Sequence, residues 1–199
     1  MISHSHQFLF LHLTRSGGHS IGKVLMPYCV DVQDPDKTYG PEWYDLLNTE
    51  APHLTRHASW REYREHYGPR IDRYRVVVAT RNPWDRAVSF HMWRQRQRNR
   101  EFDREIFLRD VTKMRTYRDL LTGDDRADDV RVDRAIRYER INEDFLELLE
   151  FLKLPRADLP HINASRHTHY TDYYDEQMIE AVSARCAFQI EVFGYTFET

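Results

Sequence analysis

The sequence has few cysteines and no long apolar segment. Only two of its 199 residues are cysteine, Cys29 and Cys186, which excludes a disulfide-stapled scaffold and predicts a reducing compartment. No apolar run approaches the roughly 20 residues of a membrane-spanning helix. The first 13 residues, MISHSHQFLFLHL, lack a basic region, and His12 interrupts their apolar run, which argues against a signal peptide. We therefore expect a soluble, cytoplasmic protein without a transmembrane segment.

Lysine is also scarce, since the chain has 25 Arg and only four Lys. Two explanations of this ratio stay open. Biased codon usage in a GC-rich genome accounts for it without any function, whereas arginine is also the residue that binds phosphate or sulfate through a rigid bidentate fork. The net charge of −3 gives no global attraction to nucleic acid or to an anionic membrane. An anion site must therefore be local.

Strands are predicted to alternate with helices along the chain. The clearest strand is a β-branched run typical of a central parallel strand, and the predicted strands cover residues 8–13, 53–57, 74–80 and 135–138. Helices are predicted over residues 19–26, 60–66, 83–98 and 104–121, and from candidate N-caps at Asn142 and Asp175 onward. Ser59 is the candidate N-cap of the helix over residues 60–66. Residues 31–52 are predicted to be irregular. The pattern favours a single α/β domain over residues 1–199, with a central, mainly parallel sheet and helices on both faces.

The first predicted strand is followed by a glycine-containing turn and a helix, in the segment FLFLHLTRSGGHSIGKV. Such a turn directs backbone N–H groups and the positive end of a helix dipole at one point, which makes it an anion site. Gly17, Gly22 and Lys23 nearly match a Walker loop, but Val24 stands where a hydroxyl should hold Mg²⁺. Hydrolysis of ATP or GTP on this loop is therefore disfavoured.

With residues 14–20, TRSGGHS, as its turn, this loop resembles the 5′-phosphosulfate-binding loop of sulfotransferases that use 3′-phosphoadenosine 5′-phosphosulfate (PAPS). The loop of many carbohydrate sulfotransferases is similar to Pro-Lys-Thr-Gly-Gly-Thr-Ser, so this chain has Thr14 for Pro, Arg15 for Lys and His19 for Thr. Arg15 retains the cation. The resemblance leaves open whether Ser16 or Ser20 meets the phosphate. It implies donor binding by the loop residues Arg15, Ser16, Gly17, Gly18, His19 and Ser20.

A second motif strengthens the resemblance. Residues 76–90, VVVATRNPWDRAVSF, match the family pattern RNPxDRxxS, in which a central strand ends in an arginine and a serine lies eight residues later. In the family this Arg and Ser hold the 3′-phosphate of PAPS, so the resemblance assigns that role to Arg81 and Ser89. Both would lie at the edge of the sheet where α/β folds bind ligands.

The C-terminal half also resembles the family. Residues 138–139, Tyr-Glu, precede an amphipathic helix, and residues 159–177 look like the tail of carbohydrate sulfotransferases, although Gln189 stands where an Asp is common. The resemblance implies a P-loop-like three-layer domain that moves a sulfuryl group from PAPS to a hydroxyl, on a carbohydrate or glycolipid, and releases 3′-phosphoadenosine 5′-phosphate (PAP). It implies no metal. Arg86 and Arg166 are predicted to support the donor site.

Transfer to a hydroxyl requires a general base. His57, in the segment LTRHASWREY, resembles the His-x-Ser segment of glycosaminoglycan 2-O-sulfotransferases, where a His is the base, and a neutral imidazole suits that role near pH 7. Glu62 and Glu65 on the following helix are the alternative bases. His19 is a weaker candidate because it lies on the donor side.

Parts of the chain fall outside the resemblance, namely residues 31–52 and 101–133, and these are expected to carry acceptor specificity. Residues 94–100 place an Arg at every second position, which is typical of a solvated helix end or of a surface that binds an anionic acceptor. Two other functions remain open: a catalytically degenerate PAPS- or PAP-binding or interaction module, and a small nucleotide kinase.

Overall fold

The computed structural model describes residues 1–29, 54, 57–121, 132–160 and 168–198. Its strands are β1 (Ile2–Ser3), β2 (Phe8–His12), β3 (Arg75–Thr80) and β4 (Arg134–Arg137). Its α-helices are α1 (Gly18–Leu25), α2 (Trp60–Tyr67), α3 (Pro83–Arg96), α4 (Arg104–Lys113), α5 (Tyr117–Leu121), α6 (Ile141–Leu152), α7 (Glu176–Arg185) and α8 (Ala187–Phe193).

The strands form one open sheet in the order β1-β2-β3-β4. β1 pairs antiparallel with β2, whereas β2, β3 and β4 are parallel to one another. The register sets His12 opposite Ala79 and Thr80 opposite Arg137. The three parallel strands therefore end at the same edge of the sheet, so the segments that follow them lie side by side.

Both faces of the sheet are covered by helices because successive side chains of a strand point to opposite faces. Phe8 and Phe10 pack with apolar residues of α1 and α6 on one face. Leu9 and Leu11 pack with residues of α2 and α5 on the other. A separate apolar cluster joins α3, α4 and α7. Burial on both faces explains why β2 and β3 read as nearly continuous apolar runs.

The predicted α/β class and mainly parallel sheet are confirmed. Local signals for helix starts are also confirmed: Ser59 and Glu62 form a capping box at α2, Asp175 caps α7, and α3 begins at Pro83. Within the parts of the chain that the structure describes, no helix is long and apolar enough to cross a membrane.

Two helix predictions are wrong. Residues 104–121 form two helices instead of one, because Thr116 and Asp119 exchange side-chain to backbone hydrogen bonds of 2.7 and 3.2 Å that start α5 as a new helix. Asn142 does not cap α6, which follows a 3-10 turn and has Arg140 at its N-cap. An N-cap signal is ambiguous when the preceding turn is already helical.

The strand predictions differ from the structure at two places. Leu54 and His57 belong to no strand, and the other residues of the predicted strand 53–57 lie outside the described residues, as does the predicted irregular segment 31–52. β1 was not predicted, because two residues are too few to show a strand periodicity.

Candidate functional site

Three chain segments meet where the parallel strands end. The turn after β2 leads into α1, Arg81 and Asn82 lead from β3 into α3, and a 3-10 turn beginning at Tyr138 leads from β4 into α6. Loops at the carboxyl ends of parallel strands are the usual ligand-binding positions of α/β sheets. Both sequence motifs therefore lie at this edge.

The turn after β2 has an unusual backbone. Arg15 and Gly17 adopt positive φ values of 70° and 80°. A Cβ atom at Gly17 would lie 2.5 Å from Cδ1 of Ile141, and one at Gly18 would overlap the imidazole ring of His12. Both glycines are thus required for the turn to pack against β2 and α6, whether or not a ligand is bound.

The two candidate hydroxyls of this turn differ. Both serines are buried, but Oγ of Ser16 donates to the carbonyl oxygen of Leu13 at 2.6 Å. The hydroxyl proton of Ser16 is therefore engaged in a hydrogen bond within the turn. Ser20 lies in the first turn of α1, where the N-cap residue Gly17 has no side chain to cap the backbone N–H groups. Ser20 is therefore the better candidate to donate to a phosphate, and His19 lies beside it, half-buried.

Arg15, Ser89 and Arg81 are in direct contact. Nε of Arg15 donates to Oγ of Ser89 at 3.0 Å, although the two residues are 74 positions apart in the chain. Nη1 of Arg81 donates to the carbonyl oxygen of Arg15 at 3.2 Å. Burial and the neighbouring charge of Arg81 lower the pKa of Arg15, but a guanidinium keeps its charge in proteins. Two cations are thus held close together.

Arg81 is held by groups from several elements. Its Nε forms an ion pair with Oδ2 of Asp85 at 2.7 Å, and its guanidinium lies 4.1 Å from the ring centroid of Tyr138. Nε2 of Gln189 donates to the carbonyl oxygen of Arg81 at 3.0 Å and to Oγ1 of Thr80 at 2.7 Å. The sequence did not indicate these roles of Tyr138 and Gln189, since both depend on contacts between distant elements.

Asn82 and Glu139 fix the turn after β3. Oδ1 of Asn82 accepts from the backbone N–H groups of Trp84 and Asp85 at 3.0 and 3.3 Å and so caps α3. The backbone N–H of Asn82 donates to Oε1 of Glu139 at 2.5 Å, and the hydroxyl of Tyr195 donates to Oε2 at 3.3 Å. The Tyr-Glu pair noted in the sequence thus contacts the neighbouring strand end with both side chains.

His57, the predicted base, lies beside the turn after β2. Its Nδ1 is 3.3 Å from the carbonyl oxygen of His12, and its Nε2 is 3.5 Å from Oγ1 of Thr14. A carbonyl oxygen only accepts, so this contact requires Nδ1 to carry the proton. Nε2 then bears the lone pair and lies next to Thr14, the residue before Arg15. This is the tautomer that a base acting through Nε2 needs.

The alternative bases are committed elsewhere. Oε2 of Glu62 accepts from the backbone N–H and the hydroxyl of Ser59 at 2.6 and 2.7 Å and from Arg115 at 3.2 Å. Partial burial raises the pKa of Glu62, but these hydrogen bonds outweigh it, so the pKa lies below its usual value. Glu65 pairs with Arg61 at 2.8 Å on the exposed surface. These contacts hold both carboxylates on α2, whereas His57 contacts the turn after β2.

The other predicted arginines have different positions. Arg86 is fully buried, with Nη2 3.9 Å from Sγ of Cys186, and its support of the donor site stays a prediction. Arg94 pairs with Asp110 at 3.0 Å, whereas the three other arginines of residues 94–100 are exposed. Arg166 lies outside the described residues.

The fold and the site define an α/β protein with a cationic site at the carboxyl edge of a mostly parallel sheet. Among the residues that the structure describes, no group of three or more His, Cys, Asp or Glu side chains is placed to hold a metal ion. Comparison of the chain with protein-family models, curated proteins and solved structures gives no significant match.

Proposed function

We propose that this protein is a PAPS-dependent sulfotransferase that transfers a sulfuryl group to a hydroxyl, with carbohydrates as the acceptor class. The observation that carries the proposal is the contact of Arg15 with Ser89, at 3.0 Å, beside Arg81. Two motifs that resemble the two donor-binding motifs of one family thereby meet at one sheet edge. Paired guanidinium groups suit a ligand with more than one anionic group.

The proposal includes a P-loop-like three-layer architecture. It is supported by the order strand, glycine-containing turn and helix at β2 and α1, and by the helices that cover both faces of the sheet. In this architecture the 5′-phosphosulfate of PAPS lies at the turn before α1, and the 3′-phosphate lies at Arg81 and Ser89. Arg15 and the first backbone N–H groups of α1 would stabilise the charge that develops on the departing 5′-phosphate.

The reaction is an in-line displacement at sulfur, by analogy with phosphoryl transfer. A bond forms between the acceptor oxygen and sulfur while the bond from sulfur to the 5′-phosphate oxygen breaks, and PAP leaves with that electron pair. Nε2 of His57 takes the acceptor proton. Because Nδ1 keeps its own proton on the carbonyl oxygen of His12, the imidazole stays in the orientation that this step requires.

The test is incubation of the purified protein with labelled PAPS and a panel of glycan and small-alcohol acceptors, with parallel binding measurements for PAP and ATP. Transfer of label to a glycan is the expected result. Tight PAP binding without transfer to any acceptor would favour a binding or interaction module instead. Turnover of ATP would overturn the proposal in favour of a nucleotide kinase.

A further inference from the structure

Arg115 links the segment between α4 and α5 to the loop that carries the proposed base. Nη1 of Arg115 donates to the backbone carbonyl oxygen of His57. Its Nη2 donates to Oε2 of Glu62 at 3.2 Å and to the carbonyl oxygen of Asp119 at 3.3 Å. A single half-buried guanidinium thus joins the loop before α2, the first turn of α2 and the start of α5.

These contacts hold the backbone of His57, whereas other contacts hold its imidazole. The ring contacts the end of β2 through the carbonyl oxygen of His12 and Oγ1 of Thr14, whereas the peptide carbonyl of His57 is held by Arg115. A side chain keeps one orientation only when its own backbone is fixed. The ring position therefore depends on both sets of contacts.

The carboxylate of Glu62 extends this arrangement to the helix. It accepts from the backbone N–H and hydroxyl of Ser59, two residues after His57. Arg115 donates to the same oxygen of Glu62. The planar guanidinium offers N–H groups in a rigid fork, which lets one side chain reach both the His57 carbonyl and the Glu62 carboxylate.

We propose that Arg115 is a positioning residue that fixes the loop of His57 so that Nδ1 of the imidazole meets the carbonyl oxygen of His12 and Nε2 faces the reacting groups. This inference uses the proposed function only in taking His57 as the base. It gives a role to one residue of the segment 101–133, where the sequence shows no resemblance to the family. Lysine cannot replace Arg115, because an ammonium lacks the fork that bridges the two acceptors.

The test combines two readouts on Arg115→Lys and Arg115→Ala, with Arg109→Ala as the matched control. Arg109 is an exposed arginine of α4 whose Nε donates to the carbonyl oxygen of Glu105 in its own helix. Two-bond ¹H–¹⁵N correlation spectra report the tautomer of His57, assigned by loss of its signals in His57→Gln. Steady-state kinetics with PAPS give kcat and KM. Arg115→Lys keeps the positive charge and serves if the alanine variant does not fold.

We expect the Nδ1–H tautomer in the wild type and in Arg109→Ala, and a mixture of tautomers in both Arg115 variants. We also expect kcat to fall about 10- to 100-fold, as for a misplaced catalytic group, with the KM for PAPS unchanged.

A preserved Nδ1–H tautomer in the Arg115 variants would overturn the inference, whatever happens to kcat. A changed tautomer with unchanged kcat would support positioning by Arg115 and instead remove His57 as the base. If the wild type transfers no sulfuryl group, the tautomer measurement still decides the role of Arg115.

Discussion

Arg15 has the least common backbone conformation among the residues of the site. A positive φ of 70° costs a non-glycine residue on the order of 1–3 kcal/mol, and such conformations persist where the surroundings hold them. Here the Ser16 hydroxyl closes the turn on Leu13, Arg81 donates to the Arg15 carbonyl, and Arg15 itself donates to Ser89. The conformation aims the guanidinium at α3, where the second motif lies.

Arg81 is predicted to recognise the 3′-phosphate of the donor. We expect Arg81→Ala to weaken PAP binding by about 10- to 100-fold, the loss of a charge-assisted hydrogen bond. Binding of adenosine 5′-phosphosulfate, which lacks the 3′-phosphate, should weaken far less. Isothermal titration calorimetry with both ligands is the measurement. Arg75→Ala, at the opposite end of β3, is the control, and equal losses for both ligands would contradict the assignment.

His57 is predicted to act in the chemical step and not in donor binding. We expect His57→Ala to lower kcat by about 10²- to 10⁴-fold, the usual contribution of a general base, while PAP affinity stays at the wild-type value. His66→Ala removes an exposed imidazole of α2 and is the matched control. Unchanged turnover in His57→Ala would place the base elsewhere, and weaker PAP binding would indicate a structural role.

Among the helices, α2 shows that a glutamate in a sequence can be read either as a general base or as part of a helix cap. Glu62 was an alternative base in the sequence, but it is also the fourth residue of the pattern Ser-x-x-Glu that forms a capping box. The structure has the box, with Ser59 and Glu62 bonded reciprocally. Capping orients the carboxylate along the helix start, which removes it from the position of a base.

The capping box is predicted to contribute to stability. We expect Ser59→Ala to lower the free energy of unfolding by about 1 kcal/mol, because the N–H of Glu62 loses its acceptor. Ser183→Ala is the control, since the hydroxyl of Ser183 donates to the carbonyl oxygen of Ile179 within α7 and caps nothing. Urea denaturation followed by circular dichroism compares the two variants. An equal effect in both would mean that the cap contributes nothing specific.

At the scale of the whole molecule, a net charge of −3 coexists with a cationic site. The fold achieves this by burying Arg81, which is 3% exposed, and by packing Arg15 against it. Low-dielectric surroundings strengthen the field of a charge on a bound anion. The potential at this edge of the sheet can therefore differ in sign from the total charge.

The stability of the whole fold is predicted to fall as the pH decreases below about 6.5, the ordinary pKa of histidine, through His91. Burial lowers the pKa of His91, although its hydrogen bond with Asp110 opposes the shift and the charge of Arg94 adds to it. The backbone N–H of Asp103 donates to Nε2 of His91, so a proton there would break this bond. The unfolded chain binds the proton at a higher pH than the folded chain, and the free energy of unfolding therefore rises with pH across this window.

Nuclear magnetic resonance titration of the His91 ring and urea denaturation between pH 5 and 7 are the measurements, the pH range being chosen about the ordinary pKa of roughly 6.5. The ring should titrate below that value. A midpoint at or above it would contradict the prediction.

Local patterns in the amino-acid sequence are enough to predict several elements of this fold. β3 and the start of α3 at Pro83 follow from a β-branched run and from the tolerance of proline in a first helical turn. The caps at Ser59 and Asp175 follow from residues at fixed short spacings. The two motifs also lie within short segments. Where such signals were weak, as at β1 and between α4 and α5, the predictions were absent or wrong.

How these local features meet depends on long-range packing. Three contacts join residues that are far apart in the chain. Arg15 contacts Ser89, Arg81 stacks on Tyr138, and Arg115 donates to the carbonyl oxygen of His57. Such contacts depend on the parallel register, which sets β2, β3 and β4 to end at one edge. Register is fixed by long-range packing of both sheet faces, and no local run of residues encodes it.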